Sequence, residues 1–499
     1  MSIRKKHTPS LLYSAKSCLI ILTLIITLLS CQTRQYEWEG IWHTSIEYIS
    51  NLESDFEFEL SKNMLSGEWS GRWEAVGLFV SGEISKIEIN DFEILVDLGD
   101  GGIFEGKLSP NKHSLTGVLS GFTLDGNDTL TLVKADSWIS EKPALMDAEG
   151  NAITSWNYST PKSRNDGWEV QDLGMGNTVN LLDELFQKVV QGQYRGLDAV
   201  LISHNGQLVV EEYFHLGEFD RLHTIQSCTK SVISLLLGIA FDQGIIEALR
   251  LPVQSFFPDY LDTLKTSPWP ITIEHALTMS AGLDWKEWEV SISSPENDLF
   301  LMNNSPDMYS YVLKKNMVKG LKPGVKFDYN SGLSVLLGGI IQHAVKMPVD
   351  QFANEFLFED LGIKNHSWLK LNGIVHTGGG LWLQPRDFLK LGQLVVNNGA
   401  WHGKQLISES WIQKSTAFHV SSRARSGYGY QWWTSDLMID NNKVPLIWAE
   451  GLGGQFLFIV PELELVVVFL HHNPDDLDLN HTMAWKELAE SIIPAFRSN

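Results

Sequence analysis

The stretch Ile225-Gln226-Ser227-Cys228-Thr229-Lys230 and the apolar run Ser231-Val232-Ile233-Ser234-Leu235-Leu236-Leu237-Gly238-Ile239-Ala240-Phe241 behind it decide how the rest of the chain is read. Apolar side chains cover most of the run, as in a helix buried on nearly all sides, and Gly244 fits its C-terminal stop. Positions i and i+3 share a helix face, so the Lys230 ammonium can reach the Ser227 hydroxyl. Ser227 would also sit near the positive end of the helix dipole, where a developing alkoxide is favoured. This reads as a serine nucleophile activated by a lysine, or else as a polar pair that happens to open a helix. The spacing alone does not choose, since Ser2/Lys5, Ser109/Lys112, Ser159/Lys162 and Ser367/Lys370 share it. Cys228, one residue on, points about 100° away on a helix and reads as a small buried hydrophobe rather than the nucleophile.

At 499 residues the chain is too long for one ordinary domain, and 43% hydrophobic with 20% charged residues is ordinary for a globular protein. The net charge of −22 argues against nucleic acid as a partner, because phosphate binding needs a basic surface. Arg4, Lys5, Lys6 and Lys16 precede the apolar run Leu19–Leu29, which has the length of a signal-peptide core and is too short to span a bilayer. It ends in Leu28-Leu29-Ser30-Cys31, which resembles a bacterial lipobox. The resemblance implies that residues 1–30 are removed and that Cys31 is acylated. Gln32, rather than Asp, after the cysteine implies by analogy the outer membrane, with the protein facing the periplasm or cell surface. Loss of residues 1–30 removes four positive charges and no acid, so the mature chain carries about −26. With Cys18 in the signal and Cys31 at the lipid site, Cys228 alone remains and no internal disulfide can form.

Residues 31–135 read as a small all-β domain. Runs such as Phe56-Glu57-Phe58-Glu59-Leu60 and Thr129-Leu130-Thr131-Leu132-Val133 alternate between Gly/Asn/Asp turns, which suggests a small antiparallel barrel or sandwich. Nothing in it suggests chemistry, so a spacing role is favoured over ligand or wall-polymer binding. Residues 136–179, broken by Pro143, Gly150, Pro161 and Gly167, read as a linker. A domain over 180–499 follows. It opens with a helix near 181–191 and a hairpin turning at Asn205-Gly206, a strong two-residue turn signal. Strand patterns return at Tyr428–Trp433, Gln455–Val460 and Leu465–Leu470, with a last helix near 483–495. Strands at both ends and helices between predict one sheet assembled from the two ends.

Three separated segments then point one way: Ser227-Cys228-Thr229-Lys230; Lys322-Pro323-Gly324-Val325-Lys326-Phe327-Asp328-Tyr329-Asn330-Ser331-Gly332 ahead of an apolar helix; and Gly451-Leu452-Gly453-Gly454-Gln455 feeding a strand. With Met279–Trp285 and His376–Leu381, they resemble the serine β-lactamase-like hydrolases related to class C β-lactamases and penicillin-binding proteins, a group that includes esterases, DD-peptidases and aminohexanoate-oligomer hydrolases. The resemblance spans roughly 180–497. It implies an α+β β-lactamase/DD-peptidase-like fold, an antiparallel sheet flanked by helices with a helical subdomain.

The resemblance further implies that Ser227 is acylated, that Lys230 is its base, and that Tyr329 relays the proton as a phenolate or through a hydrogen bond. The backbone N–H groups of Ser227 and Gln455 would form the oxyanion hole. Ser331, Leu452, Gly453, Gly454 and Trp285 are candidates for the substrate pocket. The tryptophans at 285, 288, 382, 432, 433 and 448 are consistent with apolar pocket walls. Neither a metal nor a cofactor is expected, because the histidines lack metal-ligand spacing.

Two departures narrow the expectation. Ser331 stands where β-lactamases place Asn, and Leu452 where they place a lysine that pairs with a substrate carboxylate. An uncharged small ester or amide therefore fits better than a β-lactam. A peptidoglycan-directed DD-peptidase or weak β-lactamase, and a non-catalytic binder of wall fragments, are the alternatives.

Overall fold

The computed structural model describes residues 37–497 apart from 50–51, 76–79, 122–126, 139–141, 148–150, 195, 216, 264–269, 292–293, 423–425 and 473–476. The expected signal segment 1–30 and the expected lipidation site Cys31 lie outside the described residues. The chain divides into two compact units, with the boundary after Trp138.

The first unit is all β. Its segments β1 (Gly40–Ile49), β2 (Leu52–Lys62), β3 (Trp69–Ala75), β4 (Val80–Glu83), β5 (Lys86–Asn90), β6 (Glu93–Asp97), β7 (Ile103–Leu108), β8 (Ser114–Ser120) and β9 (Asn127–Ala135) form one antiparallel sheet in the order β4-β3-β2-β1-β9-β8-β7-β6-β5. The seam between β4 and β5 is bridged by the chain itself. Ile84 N donates to Gly71 O of β3 (2.8 Å) and Ser85 N to Asp97 O beyond it in β6 (2.7 Å). β4 and β5 are thus one bent strand shared by both neighbours, and the nine segments close as an eight-strand barrel. A barrel of that size is just filled by side chains. Here Trp42, Phe56, Phe58, Trp73 and Phe104 fill it; β7 alternates strictly in and out, while β2 and β3 also bury Glu57 and Glu74.

The second unit holds a nine-stranded sheet. β10 (Glu169–Val170), β11 (Leu197–His204), β12 (Gln207–Tyr213), β13 (Trp433–Ile439), β14 (Asn442–Gly451), β15 (Gln455–Val460) and β16 (Leu465–His471) run in the order β10-β12-β11-β16-β15-β14-β13, and two short strands, Gly427–Tyr428 and Val420–Ser421, complete the edge. β11 and β16 pair antiparallel, which joins the two ends of the unit in mid-sheet as the pattern predicted. The turn between β11 and β12 places Asn205 and Gly206 at φ +51° and +78°, the left-handed pair that a two-residue hairpin requires.

β15 and β16 are buried along their whole length, because helices cover both faces. Helix α4 (Pro385–Val396) lies on the Leu457/Val466 face. Helix α5 (Leu477–Glu487) lies on the other, where Trp485 meets Phe456 and Phe458. Helix α1 (Asn177–Val190) is tied to the C-terminal segment by Lys188–Glu487 (2.8 Å). Helices α2 (Thr229–Asp242) and α3 (Ser331–Val345) pack together in the core. The result is the α+β architecture expected.

The expected linker 136–179 needs correction. From residue 139 on, the chain belongs to the second unit, and much of it is fastened there. Tyr158 donates to Val209 O (3.1 Å), Trp168 Nε1 to Arg386 O (3.1 Å), and Arg386 holds Asp166 (2.7 Å), the Lys162 carbonyl (2.6 Å) and Glu211. Pro161 and Gly167 stop helix and strand without freeing the chain, because side chains take over its hydrogen bonding.

Candidate active site

Ser227 sits in a single 3-10 turn, Gln226–Cys228, that runs directly into α2. The turn is forced. Gln226 adopts φ +45°, a left-handed conformation disfavoured for a side chain of that size, and is held there by Thr224 Oγ1 on its N–H (3.2 Å) and Thr229 Oγ1 on its carbonyl (2.7 Å). Ser227 is left partly exposed, whereas Cys228 and Lys230 behind it are buried. Burial pushes the Cys228 thiol well above its ordinary range, and its Sγ faces Gln455 O at 3.5 Å. It is a packing residue, as read.

Lys230 Nζ lies 2.8 Å from Ser227 Oγ and also donates to the carbonyl of Gly378. Burial is the main influence on this lysine and lowers it to about 8, against an opposing pull from the Glu287 carboxylate. That is a change of about 3 kcal/mol in favour of the neutral amine. The neutral amine keeps one N–H for Gly378 O and offers its lone pair to the serine hydroxyl. His376, on the same loop, is buried against the lysine and lowered to about 4 by burial and by the lysine's charge, so it adds no second positive charge at neutral pH.

Tyr329 closes the other side. Its ring centroid is 4.9 Å from Lys230 Nζ, and its hydroxyl hydrogen-bonds Ser227. Burial raises the phenol well above its ordinary value. The hydroxyl is therefore protonated at neutral pH. Tyr329 stacks on Trp288 (4.5 Å, 16°) and lies parallel to Trp433 (6.1 Å, 13°), which in turn lies parallel to Trp448. Trp288 is half exposed and offers an apolar wall beside the serine. Of the other tryptophans, Trp432 and Trp382 belong to the core.

The third segment, Gly451–Gln455, packs against the nucleophile turn. Gly451, ending β14, has no room for a side chain: a Cβ would stand 2.6 Å from Ile225 O and 2.9 Å from Gln226 Cβ. The hairpin into β15 is therefore pressed against the nucleophile turn, and Gln455 O stands 3.5 Å from Cys228 Sγ. Gly453 and Gly454 take φ +81° and +89°, conformations that favour glycine. Their carbonyls are fixed by Asn480 Nδ2 (3.2 Å) and His471 Nδ1 (2.7 Å). Leu452, 36% exposed, stands at this turn.

Two pocket candidates face elsewhere. Ser331 is buried and donates through its N–H (2.8 Å) and Oγ (2.6 Å) to Glu287, and Trp285 Nε1 donates to the same carboxylate (2.8 Å). A serine is short enough to turn inward and serve a buried acid, which removes both residues from the pocket wall. Glu287 itself, the Gly378 carbonyl, His376 and Trp288 as the ring on Tyr329 were not assigned roles from sequence. Glu287 carries no motif spacing, and a carbonyl's partner is invisible without the fold. Among the described residues, no group of three or more His, Cys, Asp or Glu is placed to hold a metal ion.

Comparison with known proteins identifies the family to which the chain belongs. A family model described as Beta-lactamase matches residues 182–489. The 6-aminohexanoate-dimer hydrolase of Paenarthrobacter ureafaciens is 22% identical over 320 residues, covering 59% of this chain and 76% of the relative. A solved structure from Bacillus anthracis, assigned as a 6-aminohexanoate-dimer hydrolase, is similar with a TM-score of 0.52 at 20% identity, covering 69% of this chain and 90% of that one. The octameric penicillin-binding protein homologue of Pyrococcus abyssi gives a TM-score of 0.50 at 19% identity, covering 62% and 76%.

Proposed function

Since the chain belongs to the beta-lactamase family of hydrolases, we propose that it cleaves an uncharged small ester or amide through an acyl-enzyme on Ser227. The observation that carries this reading is the 2.8 Å contact between Ser227 Oγ and the buried Lys230 amine, which is lowered to about 8. At pH 7 about one tenth of such a lysine is neutral, against well under one in a thousand for an ordinary lysine. That fraction takes the serine proton as Oγ bonds to the substrate carbonyl carbon. The carbonyl oxygen gains the negative charge between the Ser227 and Gln455 N–H groups, each worth about 3 kcal/mol to the transition state. Tyr329, protonated and bonded to Ser227, hands a proton to the departing alkoxide or amine and is reprotonated from Lys230. Water then attacks the acyl carbon by the same route in reverse, and Ser227 Oγ leaves with its proton restored.

Leu452 supports the uncharged substrate, because it offers an anionic group no counter-charge at the turn. Trp288 supports an apolar chain beside the reacting bond. The relative named for the 6-aminohexanoate dimer points toward amides among the candidates. A panel of p-nitrophenyl esters, linear amides, D-Ala-D-Ala peptides and nitrocefin, run on wild type and Ser227→Ala, tests the reading. Turnover of esters or amides that vanishes in the variant is expected; turnover confined to nitrocefin or the D-Ala-D-Ala peptides would contradict it. We also propose, from Leu28-Leu29-Ser30-Cys31, that the mature protein is anchored in the bacterial envelope through acylated Cys31.

A further inference from the structure

One end of the barrel gathers features that catalysis does not use. β1 begins there, and so does the turn Asn63–Gly67 between β2 and β3: Lys62 N donates to Glu39 Oε1 at 3.2 Å. The turn between β7 and β8 joins them through the Lys112–Glu37 ion pair, and the turn at Asp91–Phe92 through Leu108 N on Phe92 O (2.9 Å). The Asn63 turn presents Met64 and Leu65 to solvent at 83% and 99% exposure, and the neighbouring turn presents Phe92 at 49%.

The tip is not loosely held. Asn63 Oδ1 accepts from Leu65 N (2.9 Å) and Ser66 N (3.1 Å), and Asn63 O from Gly67 N (2.8 Å), so three successive N–H groups of the turn are satisfied internally. Satisfied backbone is what a segment needs to enter an apolar phase. Around the tip lie Lys62 over the Trp69 ring (5.3 Å) and the pairs Lys107–Glu93 (2.8 Å) and Lys112–Glu37. Trp and Lys rimming an apolar tip are the residues favoured at a membrane–water boundary. Paired charges keep this end near neutral although the whole chain carries −22.

The chain outside the described residues fixes the distance. Five residues separate Cys31 from Glu37, so six residue steps give a reach of at most about 20 Å when fully extended. If Cys31 is acylated, this end of the barrel is held within that distance of the bilayer. We propose that it seats on the bilayer, with Met64, Leu65 and Phe92 immersed at the lipid surface beside the acylated Cys31. The inference rests on the lipid-anchor reading and is independent of the reaction at Ser227.

The test uses the full chain, processed in a Gram-negative host, extracted in detergent and reconstituted in phosphatidylethanolamine/phosphatidylglycerol vesicles. An environment-sensitive fluorophore is placed by Leu65→Cys, with Ile103→Cys at the opposite end of the barrel as control. Cys228 is 1% exposed and will not compete for the label. The protein should float with the vesicles. The label at 65 should shift to the blue and lose most of its emission to 5-doxyl phosphatidylcholine, while the label at 103 does neither. Flotation without quenching at 65 would overturn the inference and leave the anchor standing. A blue shift without quenching would place a protein partner or a second copy there and overturn it too. Failure to float would overturn the anchor and the inference together.

Discussion

Lys230 can act as a base only as the neutral amine, so its environment should be visible in the pH dependence of the reaction. With the group at about 8, kcat/KM should rise about tenfold per pH unit up to that point and then level. The Glu287 carboxylate opposes the lowering of this lysine. Replacing it by Glu287→Gln should move the acid limb to lower pH. An unmoved limb with reduced activity would make Glu287 merely structural. Tyr329→Phe should lower kcat by 10²–10⁴, about the contribution of a positioned proton-transfer group, while leaving fluorophosphonate labelling of Ser227 detectable. At this scale the sequence made Ser227, Lys230 and Tyr329 legible because each belongs to a short motif. Glu287 stayed hidden because its partners, Trp285, Ser331 and the lysine, come from three separate segments.

The site is aligned by elements pressed closer than side chains allow. Gly451 is the tightest such point between β14 and the nucleophile turn. Gly451→Ala should push the β14–β15 hairpin away from Ser227 and lower kcat by about 10²-fold, the usual cost of a displacement near 1 Å. Steady-state kinetics with a thermal melt check this: the melt should stay cooperative, and a full kcat would show that the contact does not position Gln455. Elements with strong period or punctuation were readable from the chain. The hairpin at Asn205-Gly206 and the buried helix α2 both formed where expected. The segment 136–179 was not, because its order comes from Arg386, Trp168 and Tyr158 bonding across long sequence separations, while its own composition reads only as breaks.

Across the second unit, two buried histidines and the half-buried His215 make stability depend on acid. Burial lowers His215 and His376 to about 4 and His471 to about 3, with His472 and Lys230 adding repulsion at the first two. Each is therefore neutral when folded at a pH where the unfolded chain would already be protonated. The stability they lend is complete above the unfolded value near 6.5 and is lost as pH falls toward 4, by of the order of 1 kcal/mol for each histidine at pH 5.5. Asp198, whose cost of burial is outweighed by His472 and His223, is held low and keeps its contribution over that range. The urea midpoint should therefore drop between pH 7.5 and 5.5, and a flat midpoint would contradict the assignment. The two-unit plan and the sheet built from both ends were legible in strand patterns and their order. Closure of the barrel was not, since only the pairing of Ile84 and Ser85 to opposite neighbours shows that β4 and β5 are one strand. All of this architecture bears on catalysis through one covalent step. The direct measurement is peptide mapping by mass spectrometry after acid-quenched incubation with p-nitrophenyl acetate. The peptide carrying Ser227 should gain one acetyl group, and that gain should be absent in Ser227→Ala. An unmodified Ser227 in an actively turning-over enzyme, or acetyl on another residue, would contradict the account.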